Sequence, residues 1–113
     1  MMTDQSRAEQ FTTWLCQDVV ETTAALGYTP TRFLQMVRQH GGVEACKLLL
    51  RPEIPASHGF CRLRELGRLD LSVEHIAQST EWADLFTVAE KDAARWRIEN
   101  ADAICADRSL LGE

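Results

Sequence analysis

The sequence predicts an all-α fold, a compact bundle of about six or seven helices, several of them short. Apolar residues recur at three- and four-residue intervals between successive glycine, proline and hydroxyl punctuation marks, which is the helical period. One stretch, Leu69-Asp70-Leu71-Ser72-Val73, alternates as a strand does, yet no second segment is available to pair with it. With 113 residues, 45% hydrophobic and 26% charged, the chain has globular composition and needs no staple to fold. It reads as a single domain, 1–113, made of an N-terminal helix over 1–27, a helical module over 28–107 and a tail over 108–113.

The first helix is expected over residues 4–26, ended by Gly27. Phe11, Trp14, Leu15, Val19 and Leu26 fall on one face. That stripe is long for a small bundle, so Phe11, Trp14, Leu15 and Val19 form a candidate interface for a protein partner or a second copy of the chain. Thr29-Pro30 reads as cap and first helical residue, opening a helix over about 30–39 that Gly41 closes. Val43, Cys46, Leu49 and Leu50 give the next helix, which Pro52 stops.

After a loop over 51–57 containing Pro52 and Pro55, Ser57 caps a helix carrying Phe60, Leu63 and Leu66, closed by Gly67. Residues 69–71 are read as extended, turning helical from Ser72. Glu81, Trp82, Leu85 and Phe86 make a short helical turn. Thr87 and Glu90 have the spacing of a capping box, which starts a long helix from Val88 to Ala103 or beyond, with Ala89, Ala93 and Trp96 directed inward and fraying expected past Asp107. The predicted core is Phe33, Val37, Leu49, Phe60, Leu63, Ile76, Leu85, Phe86 and Trp96.

Phe33-Leu34-Gln35-Met36-Val37, Gly41-Gly42-Val43-Glu44-Ala45, Gly67-Arg68-Leu69-Asp70-Leu71, Trp82, Leu85-Phe86 and Glu90 with Ala94-Arg95 stand in an order that resembles a small helical module recurrent in uncharacterised bacterial proteins. The resemblance covers about residues 30–98. It implies domain limits, with the first helix as an addition, and carries no activity.

Candidate chemistries are few. The helix, Gly41-Gly42 turn and helix suggest a helix-turn-helix, but the second helix offers Leu48, Leu49 and Leu50 where base edges need polar groups, and Glu44 in its first turn repels phosphate. Arg62, Arg64 and Arg68, with Arg95 and Arg97 further on, form a candidate basic patch, set against pairing with Glu65, Asp70 and Glu74. A net charge of -5 disfavours nucleic acid as a partner. His58 and Cys61 share the spacing of ligands on one helix face, and His40 with Cys46 is too loose a second pair for zinc, so neither metal nor cofactor is expected.

Cys61 beside Arg62 is the nearest approach to a nucleophile, and no recognisable catalytic motif accompanies it, so the chain is not read as an enzyme. The four cysteines, Cys16, Cys46, Cys61 and Cys105, are expected to be buried reduced thiols. No apolar run spans a bilayer and the first residues lack a signal-peptide pattern, which places the chain in the cytoplasm, away from membranes. The expectation that results is a non-catalytic protein-interaction or adaptor module, with a regulatory nucleic-acid binder using the arginines as its rival.

Overall fold

The computed structural model describes residues 4–110. Among the described residues the chain is 74% helical without a strand, the all-α class expected. Its contacts group into two compact units, Met1–Leu48 and Leu49–Glu113, which are taken in turn.

In the first unit α1 (Asp4–Trp14) continues through a π-helical stretch, Leu15–Val20, into α2 (Glu21–Ala25). Phe11, Leu15, Val19 and Thr23 are the buried positions. They are spaced four apart throughout. In an α-helix of about 3.6 residues per turn, each four-residue step drifts by about 40°, so the stripe would leave its face after three steps. The wider i→i+5 turn of the π stretch takes up that drift and keeps the four side chains aligned. Thr23 tolerates burial because its Oγ1 donates to the Val19 carbonyl at 2.8 Å.

Beyond Gly27, α3 (Thr31–His40) begins one residue later than the proline signal suggests, with Pro30 itself in the cap position. Gly41 has φ +85°, a conformation that side-chain-bearing residues rarely adopt, and its N–H donates to the Val37 carbonyl at 2.8 Å. This lets α4 (Gly42–Leu49) start immediately. Gly42 lies against α1, where its N–H donates to Thr12 Oγ1 at 2.9 Å. A Cβ there would stand 2.7 Å from that oxygen and 3.0 Å from the Thr12 Cα.

The second unit starts with a loop that leads to α5 (His58–Glu65), whose cap is Ser57 as expected: the Phe60 N–H donates to its Oγ at 3.2 Å. Phe60, Cys61 and Leu63 are buried. The alternating segment is a 3-10 turn, Leu69–Leu71, followed by the Ser72 cap of α6 (Val73–Ile76). Ser72 Oγ accepts from His75 and donates to the Leu69 carbonyl, which joins turn and helix through one hydroxyl. A second 3-10 turn, Ala83–Leu85, precedes α7 (Val88–Glu99).

The capping box is present in full: the Glu90 N–H donates to Thr87 Oγ1 at 3.2 Å and the Thr87 N–H to Glu90 Oε1 at 2.8 Å. The long last helix is divided at Asn100, after which α8 (Ala101–Leu110) takes over. Its backbone extends past Asp107, where fraying was expected, and residues 111–113 of the expected tail lie outside the described residues.

The expected core needs correction on α7. Ala94 and Arg97 are its buried residues, followed by Ala101 on α8, while Trp96 is 60% exposed. The inward face is turned by one residue from the apolar reading. Of the other expected core residues, Phe33, Leu49 and Leu85 are half-buried and the remainder buried.

Replacing Gly42 by Ala tests the α1–α4 crossing. Helix propensity alone favours Ala by about 1 kcal/mol, but the Thr12 backbone cannot yield as a flexible side chain can. A net loss of about 1–3 kcal/mol is expected from overpacking. An unchanged or higher urea midpoint for Gly42→Ala would show that the helices do not approach so closely.

Candidate functional site

The second unit contains a groove of about 580 Å³ built from three pieces of chain. One wall is the loop after α4, with Pro52, Glu53, Ile54, Pro55 and Ala56. The other is formed by Ala93, Trp96 and Arg97 of α7 with Ile104 of α8. The lining is mostly apolar. Its two largest exposed apolar side chains are Trp96, at 60%, and Ile54, at 37%.

The loop is irregular, and two of its residues are prolines without a backbone donor, so it cannot hold itself in place by a hydrogen-bond ladder. Arg97 does so instead. Its Nη1 donates to the Leu49 carbonyl at 2.6 Å, and its Nη2 to the carbonyls of Arg51 at 2.9 Å and Ile54 at 2.6 Å. Nη1 also meets Glu74 Oε2 of α6 at 3.1 Å. The pair is buried, with the two side chains only 5% and 4% exposed. Removal from water pushes the Glu74 carboxyl above the usual glutamate range, a shift that backbone hydrogen bonding and the Arg97 cation oppose without cancelling.

Glu53, exposed on the loop wall, has no ion-pair partner among the described residues. It gives the apolar groove an acidic margin. Arg97 is occupied by its carbonyls and Glu74, so the groove has no spare cation from that source.

The structure distributes the sequence-predicted candidates elsewhere. Phe11, Leu15 and Val19 are buried and Trp14 is half-buried, its ring 5.9 Å from that of Phe11, so the expected interface stripe offers little free surface. Arg62 pairs with Glu65 at 3.0 Å, Arg64 with Asp102 at 2.8 Å and Arg68 with Asp70 at 3.0 Å. Each cation of the expected basic patch therefore stands beside a carboxylate, and Arg68 holds the Asp70 carboxyl below its usual range. Glu74, expected to balance the same patch, pairs with Arg97, and does so in the interior and not on a solvated face.

The cysteine expectation is corrected for two of the four. Cys61 of α5 and Cys105 of α8 form a disulfide, so Cys61 is neither a thiolate nucleophile nor a metal ligand in this state. Cys16 and Cys46 are not bridged, and of the two only Cys46 is buried as expected, Cys16 being half-buried. His58 is exposed at the start of α5, and the described residues hold no cluster of three or more potential ligands that could take a metal ion.

The sequence reading placed Trp96 in the core and Arg97 only at the margin of the basic patch, so it missed both as parts of this groove. A tryptophan on a helical stripe is ordinarily core, and an arginine next to it is ordinarily solvated. The usable signal is the pair of prolines: a loop short of backbone donors needs a multidentate donor from outside itself.

Comparison with protein-family models, with curated proteins and with solved structures gives no match. Nor do the described residues include a helix long and apolar enough to cross a membrane.

Two tests follow from the Arg97 cluster. Arg97→Leu takes the donor from the Leu49 and Ile54 carbonyls, leaves that of Arg51 with the Ile54 N–H alone and Glu74 buried without its cation, and should cost about 3–5 kcal/mol in urea unfolding. Adding Glu74→Leu should recover part of the loss, because no buried charge then remains. A cost below about 1 kcal/mol would mean that something else fastens the loop.

The raised Glu74 pKa also fixes a sign. At low pH the carboxyl is protonated in folded and unfolded chains alike. As pH rises through the ordinary glutamate range the unfolded chain ionises first, so stability attributable to Glu74 falls until the raised folded value is passed. Glu74→Gln should flatten this fall in urea midpoints measured across the acid to neutral range. Parallel pH curves for the two proteins would contradict the shift.

Proposed function

We propose that this chain is a non-catalytic protein-interaction or adaptor module, and that the groove between the Pro52-to-Ala56 loop and the Trp96 side of α7 takes a segment of a partner protein. The observation that carries this is Trp96: an indole 60% exposed at the lip of an apolar groove, on a helix whose register is set by the buried residue next to it. Tryptophan in such a setting supplies a large, rigid contact surface, the usual property of a binding anchor.

The acidic margin at Glu53 and the net charge of -5 favour a partner segment combining an apolar anchor with lysine or arginine, which the indole face also attracts. Cytoplasmic placement is compatible with the Cys61–Cys105 bridge only if that bridge is one that opens, since persistent disulfides belong to oxidising compartments.

A fluorescent amphipathic peptide of leucine and lysine serves as probe. Trp96→Ala should weaken its binding at least about tenfold while changing stability by no more than about 0.5 kcal/mol, as expected for an exposed side chain. Val88→Ala, which removes an apolar group that is 71% exposed and outside the groove, should leave binding unchanged. Equal affinity for the wild-type and Trp96→Ala chains would remove the groove from the reading. Self-association abolished by Trp96→Ala would identify the occupant as a second copy.

A further inference from the structure

The disulfide and the groove share a core. Cys61 and Cys105 are buried in one cluster with Ala56, Phe60 and Ala101, and Ile104 packs against it. Ala56 lines the loop wall of the groove, and Ile104 its α8 wall. Resting on the reading of the groove as a partner site, we infer that the groove is redox-gated: the closed Cys61–Cys105 bridge holds α8 in place, and its reduction by a dithiol releases α8 and dismantles the binding surface.

Among the described side chains of α8, those of residues 101–106, the other attachments are slight. The buried ones, Ala101 and Cys105, are small, a small side chain removes little apolar area from water, and Ile104 is only partly buried. The Arg64–Asp102 ion pair reaches it from α5, but the Asp102 side chain is 93% exposed, where solvent screens most of the attraction. Asn100, at φ -111° and ψ 18°, interrupts the helix between α7 and α8, so α8 is not carried rigidly by the helix before it. Among these described attachments the bridge is the strong connection, joining residues 44 apart in sequence.

Opening the bridge is an ordinary exchange. A thiolate of the dithiol attacks one sulfur, the S–S bond breaks, and the other cysteine leaves as thiolate. The second thiolate of the reductant then resolves the mixed disulfide. The reductant ends oxidised to a disulfide, its two electrons reside on Cys61 and Cys105, and two protons complete the thiols. Because the cysteines are only 6% and 4% exposed, attack requires α8 to lift first, so reduction proceeds through the open form.

Hydrogen exchange read by mass spectrometry on the full chain, with and without dithiothreitol, tests this directly. On reduction, amides of α8 should exchange at least tenfold faster while those of α6 and the first turns of α7 keep their rates. The Leu–Lys peptide should bind at least tenfold more weakly, with recovery on reoxidation by oxidised glutathione. The Cys61→Ala/Cys105→Ala chain should behave as the reduced protein under both conditions.

Unchanged α8 protection in the reduced chain and in the double variant overturns the gate, whatever the peptide does. Loosening of α8 in a protein whose oxidised form never binds the peptide supports the device and overturns the partner reading instead. Loss of the whole far-ultraviolet helical signal on reduction also overturns the gate, because the bridge is then a condition of folding.

Discussion

Burying the Arg97 guanidinium is the constraint on which the second unit depends. A cation removed from water is costly unless its donors are met, and Arg97 meets them with the carbonyl of Leu49 at the end of α4, two loop carbonyls and one carboxylate, all at hydrogen-bond distance. The same contacts supply what the loop lacks. Each side therefore makes the other tolerable: the cation is solvated by the loop backbone, and the loop is ordered by the cation.

The register of α7 follows from this. Consecutive residues of an α-helix are separated by about 100° around its axis, so a helix that turns Arg97 inward carries Trp96 to the boundary with solvent. Ala94 and Ala101 complete the inward stripe. The exposed indole is thus a consequence of the polar contacts made by its neighbour, and the groove acquires its most prominent surface through the register that Arg97 sets.

Local chemistry was legible in the sequence and tertiary chemistry was not. Ser57, Ser72 and the Thr87–Glu90 box act within three residues of themselves, so their spacing contains the whole interaction, and each was placed correctly. Gly41 and Gly67 at positive φ were readable for the same reason. The face of α7 was misread because periodicity assigns the larger apolar residue to the interior, whereas four distant acceptors on two segments outweighed the indole. The Cys61–Cys105 pairing depends on α5 meeting α8, which no spacing between 61 and 105 encodes. The π-helical stretch has a faint trace in the strict four-residue spacing of Phe11, Leu15, Val19 and Thr23, a pattern that a plain α-helix cannot keep on one side.

The groove has walls fixed by two different kinds of chemistry. The loop wall is held by hydrogen bonds and charge, and the α8 wall by a covalent bridge. By loop-closure entropy a bridge over 44 residues is worth about 4 kcal/mol, comparable with the cost of breaking a buried ion pair at about 3–5 kcal/mol. Neither wall is a minor ornament on the other. They answer to different conditions, however: ionisation of Glu74 acts on the cluster that fastens the loop, while a thiol reductant acts on the bridge between α5 and α8. A surface assembled in this way can lose one wall and retain the other, which separates the state of the groove from the state of the fold. That separation is what the proposed partner site requires if its surroundings are to adjust it, and what a chain that is simply folded or unfolded by them lacks.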